Sequence, residues 1–336
     1  MRVQSVSRGV SMTQGSLWKN IFLFSLPLIF SQLLQVMFNM ADVAVVGKFA
    51  GATALGSVGS TTTLVTLFTG FLIGMGSGVN VCVAQHLGAG KTRQVRRCVH
   101  TALLLCTGAG VVIAVACFFG AAGFLTLLNT KPDLLPGAVL YFRIYALGMP
   151  ALGIFNFGNA VLSANGDTTR PLAYLTLAGV LNVILNLVFV IGFGMAADGV
   201  ALASVISQYV SALLILWHMA GMQDACALRK ADASFHPGEA KRLLALGIPA
   251  GVQNMIFAVA NLFIQAGVNS FDSTMVSGNA AAANADTIVY NVMAAFHTAC
   301  SSFMGQNWGL GCWFWGSRSW DCLPTSRRWW RPVCKG

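Results

Sequence analysis

From Asn20 to Gly47 the chain carries one charged side chain, Asp42, and from Phe49 to Gly90 it carries no Asp, Glu, Lys or Arg. Each run exceeds the roughly 20 residues that an α-helix needs to cross a hydrocarbon core. Lipid offers no partner for a free backbone N–H or C=O, and these runs lack the alternation of a barrel strand, so helix is the element that spans. The rest of the composition agrees: 56% of the residues are apolar and 9% are charged, against about 25% charged in a soluble domain. Such a chain cannot cover a water-facing surface. The sequence therefore predicts an all-α, polytopic integral membrane protein. The run after Lys19 is too long for the apolar core of a cleaved signal and is read as a mature span, with Met12 a candidate natural start.

The hydropathy pattern predicts eight spans, at about 20–47, 58–87, 97–120, 139–164, 169–192, 196–220, 243–270 and 283–308. One stretch recurs about 222 residues on. Lys19, Leu26-Pro27, Asn39 and Gln85-x-x-Gly-x-Gly are matched by Lys241, Ile248-Pro249, Asn261 and Gln306-x-x-Gly-x-Gly. Internal repeats of hydrophobic helices mark two-lobed transporters. Lys and Arg gather around Arg2–Lys19, Lys91–Arg97, Arg170 and Arg229–Arg242, while the opposite loops hold only Lys48, Lys131 and Arg143. The positive-inside rule makes the first group cytoplasmic, which puts the N-terminus inside and predicts a multi-pass protein of the cell inner membrane. Six spans separate the copies, so both enter the membrane in the same direction and the repeat is parallel.

The expected organisation is a cytoplasmic N-terminus (1–19), a six-helix N-lobe (20–220), a cytoplasmic inter-lobe loop (221–242), the first two helices of a C-lobe (243–308) and a Trp/Arg-rich tail (309–336). The tail reads either as an interfacial anchor or as an arbitrary peptide from a shifted reading frame. Taken as it stands, this pattern predicts a C-terminally truncated chain that inserts but does not transport.

Asp42 and Asp286 are the two acids within predicted spans. An ionised carboxylate there costs on the order of 3 kcal/mol on insertion scales, so it is retained mainly for work. Gln32, Gln35, Asn39 and Asp42 follow one another at three- and four-residue steps, a polar stripe on an apolar helix. Asn182 and Asn186 share a face one turn apart, and Asn156, Asn159, Ser204 and Gln208 add polar groups to the same lobe. Each amide alone reads as an interhelical hydrogen bond; together with Asp42 they point to a hydrated cation site. His297 lies deep in the last span, where it either reaches the cleft or bonds a neighbour. Pro27 and Pro249 should loosen their spans and are candidate gating kinks, and Pro150 should do the same in the fourth. Gly70, Gly74 and Gly78, four residues apart, read as a helix-packing ridge.

Several classes are excluded. The +10 charge is dispersed between apolar runs rather than gathered on one face, so no nucleic-acid partner is expected. Gly88-Ala89-Gly90-Lys91-Thr92 lacks the first Gly of a phosphate loop, which would fall at Gln85, and follows a span rather than a strand. The nine cysteines form no C-x-x-C pair and read as small packing residues, so no metal site is expected. No acid/base pair suggests an enzyme, and no obligate protein partner is evident.

These residues resemble the multidrug and toxic compound extrusion (MATE) family over about residues 15–310. The resemblance rests on Pro27…Asp42, Gln85-x-x-Gly-x-Gly-Lys, Gly166-Asp167-Thr168-x-x-Pro171, Asn182 with Gly199…Ser204, and Met304-Gly305-Gln306-Asn307-Trp308-Gly309. It implies a twelve-helix, two-lobe fold in the lipid bilayer that exports cationic, amphipathic drugs in exchange for protons or sodium, with no other cofactor. It makes Asp42 the ion-coupling carboxylate with Asn182 and Ser204 near it, and Asn186 is grouped with them by position; Gln35, Asn39, Asn156, Asn159 and His297 are expected, from their own polarity within the spans, in the substrate cleft. Asn186 departs from the Asp of many proton-coupled members, and Ser204 stands where Thr is common. No Glu occupies the seventh span, where sodium-type members often carry one, so proton coupling is preferred. Two alternatives stay open: a lipid-linked saccharide flippase of the same superfamily, and a membrane stub without transport activity.

Overall fold

The computed structural model describes residue 12 and residues 17–229, 234–268 and 273–314, of which residues 17, 262, 265, 266, 268, 273–285 and 310–314 are described by backbone alone. Nine α-helices and no strand occur among the described residues. They are α1 (Leu17–Val45), α2 (Gly51–Gly88), α3 (Thr92–Leu127), α4 (Leu135–Ala146), α5 (Met149–Ala164), α6 (Thr169–Leu187), α7 (Ala197–Gly221), α8 (Pro237–Val268) and α9 (Ser273–Phe314). π-helical turns extend α1 over Val46–Ala50 and α6 over Val188–Gly192.

The stretch Trp18–Gly88 is far too long for one crossing and reverses at Gly51, where φ is +86°. Both free ends return to α9: Phe24 of α1 stacks edge-on against Phe303, and Gly88 of α2 abuts the Gln306 carbonyl. The basic segments consequently share one end of the bundle. There Arg242 reaches Gln85, His100 meets the Arg229 carbonyl and Thr168 meets the Phe24 carbonyl. Lys48 and Lys131 lie at the other end, beside the contact between Ser57 and the Leu134 carbonyl.

Large apolar side chains cover the outside, including Leu127, Trp217, Phe119 and Phe263, each at least 75% exposed. A continuous apolar exterior of that kind belongs in lipid. The interior is packed with small residues, among them Ala84, Cys98, Ala102, Ala160 and Ala164.

Several boundaries differ from the sequence expectation, α2, α3 and α9 beginning five to ten residues earlier than expected. The fourth span is broken: α4 and α5 meet at 45° instead of forming one helix. Pro150 sits in the first turn of α5, where its missing N–H costs nothing, and Leu147 and Gly148 close α4 with tightened bonds to Ile144 and Tyr145. The freed Leu147 carbonyl accepts from the Tyr209 hydroxyl at 3.0 Å. The expected inter-lobe loop is shorter, because α8 starts at Pro237 and carries Glu239, Lys241 and Arg242 in its opening turns. Finally, α9 does not stop at 308 but runs through Gly309 and Gly311 to Phe314; residues 315–336 of the expected tail, and the loop acid Asp272, lie outside the described residues. α9 is also less apolar than the helices that meet the length and composition of a membrane span.

The glycine ridge of α2 faces α8. A Cβ on Gly78 would lie 2.5 Å from the Gly247 nitrogen, one on Gly74 would collide with Gly251, and Asn254 donates to the Gly70 carbonyl at 3.0 Å. Pro249 thus lies between the two closest approaches of the helices. α2 and α9 also touch reciprocally: Gly88 abuts the Gln306 carbonyl, and Gly309 abuts the Gln85 carbonyl. Gln-x-x-Gly of each copy is pressed on Gln-x-x-Gly of the other, the pattern of a twofold contact. The remaining glycines of these motifs make turns: Gly90 (φ +66°) ends α2, and Gly166 (φ +93°) turns the chain so that Asp167 can accept from the Arg170 N–H at the start of α6.

Candidate functional site: a carboxylate cluster beside a polar cavity

Asp42 sits one turn before the end of α1, between α6 and α7. Its Oδ1 accepts from Asn186 Nδ2 at 2.5 Å, and its Oδ2 accepts from Ser204 Oγ at 3.3 Å. Asn182 Nδ2 donates to Ser204 Oγ at 3.2 Å, and Asn186 Nδ2 also reaches Asn182 Oδ1 at 3.2 Å. The four side chains predicted for cation coupling therefore form one connected network. It is capped by an apolar shell that includes Val45, Val46, Tyr141, Val190 and Val200. Two features set it apart from an ordinary polar contact. Asn186 Oδ1 is buried and has no hydrogen-bond partner among the described residues, which costs about 1–3 kcal/mol if left so. Both π-helical turns follow the network directly, one after Asp42 and one after Asn186, and such turns are frequent where helices are remodelled for function.

The second feature is a cavity of about 100 Å³ between α1, α2, α5, α6 and α9. Gln32 and Gln35 of α1, Asn156 and Asn159 of α5, Asn80 of α2 and Thr298 of α9 line it. No Asp, Glu, Lys, Arg or His is among its lining residues. Gln35, Asn156 and Asn159 line this cavity. Asn39 and His297 do not: both are exposed and neither lines the cavity. Asn39 shares the stripe of Gln35 in sequence, but the cavity closes before that turn is reached, and α9 turns Thr298 inward in place of its neighbour His297. Asp286 is exposed on α9. Asp42 lies two turns beyond Gln35, about 10 Å along the helix axis, so the carboxylate network and the cavity are neighbours rather than one chamber.

Pro27 and Pro249 both lie inside continuous helices. Pro27 leaves the Leu23 carbonyl without its intrahelical donor, one turn from the cavity residues Leu28 and Ser31. Asn80 was not among the expected site residues. It donates to the Ala160 carbonyl at 3.1 Å and accepts from Ser302 at 3.0 Å, tying α2 to both α5 and α9; as a lone amide in an apolar run it carried no spacing signal. The expectation of no metal constellation also changes: Cys82, His86, Cys98 and Glu239 bring four donor atoms together. Cys82 and His86 are one helical turn apart, a signal readable in advance, but their partners come from α3 and α8.

A family model described as MatE matches residues 27–188. The chain is 31% identical over 299 residues to the probable multidrug resistance protein YpnP of Bacillus subtilis, an alignment covering 89% of this chain and 67% of that one. The chain belongs to the MATE family. A more distant relative, described as an FAD transporter of Shewanella oneidensis, is 26% identical over 85% of this chain and 64% of its own length. Among solved structures, a MOP superfamily transporter from Pyrococcus furiosus superposes with a TM-score of 0.84 at 22% identity, covering 91% of this chain and 68% of that one. A MATE protein in a bent conformation gives 0.84 at 21% identity, with the same coverage. At these identities the structures establish the fold alone. The chain spans about two thirds of the length of these relatives. As a MATE member it is a multi-pass membrane protein of a transporter family, not an enzyme.

Proposed function

We propose that the whole protein is a multidrug efflux transporter that exchanges cationic, amphipathic compounds for a cation, and that Asp42 is the coupling carboxylate. The observation that carries this reading is the network of Asp42, Asn182, Asn186 and Ser204, in which the three partners are buried, Asp42 is partly exposed, and one amide oxygen has no partner among the described residues. Oxygen donors of this kind suit a proton shared with the carboxylate or a sodium ion. With no second acid in the network the proton is the preferred partner. Arrival of a cation removes the need for Asn186 and Ser204 to neutralise Asp42, which frees α1 to shift against α6 and α7. Ion binding drives such a shift only by favouring one arrangement over the other.

The cavity supports a substrate held by amides, hydroxyls and apolar walls. A cationic amphipath finds its partners there in the amide and hydroxyl dipoles of the lining. A lipid-linked saccharide or a flavin nucleotide carries phosphates that call for Lys or Arg, and the lining supplies neither. The clustering of Lys and Arg at one end supports a cytoplasmic N-terminus in the cell inner membrane.

Asp42→Asn in the whole protein is expected to abolish ethidium efflux from a pump-deficient host while leaving membrane insertion unchanged. Wild-type efflux at matched expression would remove Asp42 from the mechanism.

A further inference from the structure

Three helices meet at the basic end of the bundle around a group of side chains that the coupling network does not use. Cys82 and His86 lie on the last two turns of α2, Cys98 on the second turn of α3, and Glu239 in the first turn of α8. Cys82 and Cys98 are fully buried and His86 is 5% exposed. The two sulfurs are 3.2 Å apart, and His86 Nε2 is 3.1 Å from Glu239 Oε2. All four donor atoms lie within 4.8 Å of one another.

Each pair has an ordinary explanation by itself, a thiol contact and a His–Glu ion pair. The convergence of both pairs on one point does not. Ligand atoms about 2.0–2.3 Å from a tetrahedral zinc ion are separated by edges of about 3.3–3.8 Å. These two edges fall slightly short of that range and the remaining separations stay within 4.8 Å, so side-chain adjustments of about 1 Å or less would seat an ion among the four. Two thiolates with an imidazole are too soft for magnesium or calcium and suit a zinc-type ion. Both thiolates, the carboxylate and a divalent ion would together carry one negative charge. Arg242, one turn after Glu239, acts electrostatically on both thiols and is held by Gln85 Oε1 at 2.5 Å. A cation beside the ligands, anchored by its own hydrogen bond, is the outer-shell support such sites use.

We propose that Cys82, His86, Cys98 and Glu239 form a zinc-type metal site that fastens α8 to α2 and α3. Three of the ligands come from α2 and α3 of the first lobe, and Glu239 comes from α8, the helix that opens the second. An ion held by all four therefore ties α8 to the first lobe at the basic end, close to the Gln85–Gly309 contact. It binds the arrangement in which that end is closed and opposes any movement that draws α8 away.

The test is cobalt titration of the purified full chain in detergent, stripped of metal and kept reduced with a phosphine. One equivalent of cobalt should give a thiolate charge-transfer band and the visible bands of tetrahedral coordination, and zinc should displace both. Cys82→Ser and Cys98→Ser should each lose the charge-transfer intensity of one thiolate. Glu239→Gln should retain the thiolate band but bind about 10-fold or more weakly, on the scale seen for losses around metal sites. Cys322→Ser with Cys334→Ser should change nothing. Zinc should also raise the melting temperature of the wild type and of the tail variant, but not of Cys98→Ser. The wild-type titration decides the matter even if a cysteine variant fails to fold. No thiolate band in the wild type, a band unchanged by Cys82→Ser and Cys98→Ser, or a band lost with the tail cysteines would each overturn the site.

Discussion

Gly70, Gly74 and Gly78 are indistinguishable by spacing, yet alanine at each should have a different cost. At Gly70 the added Cβ would rest 3.4 Å from the Asn254 Cβ, ordinary contact. At Gly78 it would lie 2.5 Å from the Gly247 nitrogen and 2.6 Å from the Gly247 Cα. Those are backbone atoms and cannot rotate aside. Restoring a normal separation of about 3.5 Å requires α2 and α8 to part by roughly 1 Å, and a gap of that size forfeits a quarter to a half of the dispersion well at each contact. The expected destabilisation is about 1–3 kcal/mol, the range of overpacked cores. Gly59 is the control. It lies in the same helix with nothing within 4 Å, so Gly59→Ala should be neutral or stabilising by up to about 1 kcal/mol through helix propensity. The assay is thermal unfolding of the full chain in one detergent, comparing Gly59→Ala, Gly70→Ala and Gly78→Ala. The expected order of stability is Gly59→Ala, then Gly70→Ala, then Gly78→Ala. If Gly78→Ala melts with Gly59→Ala, the close approach of α2 and α8 is wrong.

Other outcomes are expected from the same geometry. Tyr209→Phe should cost about 1 kcal/mol by stripping the Leu147 carbonyl of its donor at the α4–α5 break, measured as a melting shift; an unchanged melting temperature would mean that the carbonyl finds another partner. Single cysteines introduced near Asp133 should be labelled from outside intact cells, whereas those near Arg93 or Arg229 should not. Equal labelling of both groups would reverse or void the assigned orientation.

Much of this protein was legible in the order of its residues. Long uncharged runs leave helix as the one element that lipid tolerates, and clusters of Lys and Arg mark which ends lie together. The carboxylate network was legible in part. A charge buried in an apolar helix must be compensated, which singled out Asp42 and the polar side chains of the first lobe as a set; that Asn182 and Ser204 are the ones beside it was what the resemblance to the MATE family implied, with Asn186 grouped by its position one turn from Asn182. The misses have a different physics. Pro150 announces a bend, but whether it kinks a helix or starts a new one depends on a partner across the interface, Tyr209, which takes up the Leu147 carbonyl. Asn39 and His297 have the right residue types at the right spacing, and their exclusion from the cavity follows from where the neighbouring helices close it. Cys82, His86, Cys98 and Glu239 are ordinary residues in three separate segments. Local sequence determines what a helix can bury and where a carboxylate demands partners; which side chains from distant helices arrive within bonding distance is decided by how close the glycine-lined backbones of α2, α8 and α9 can approach.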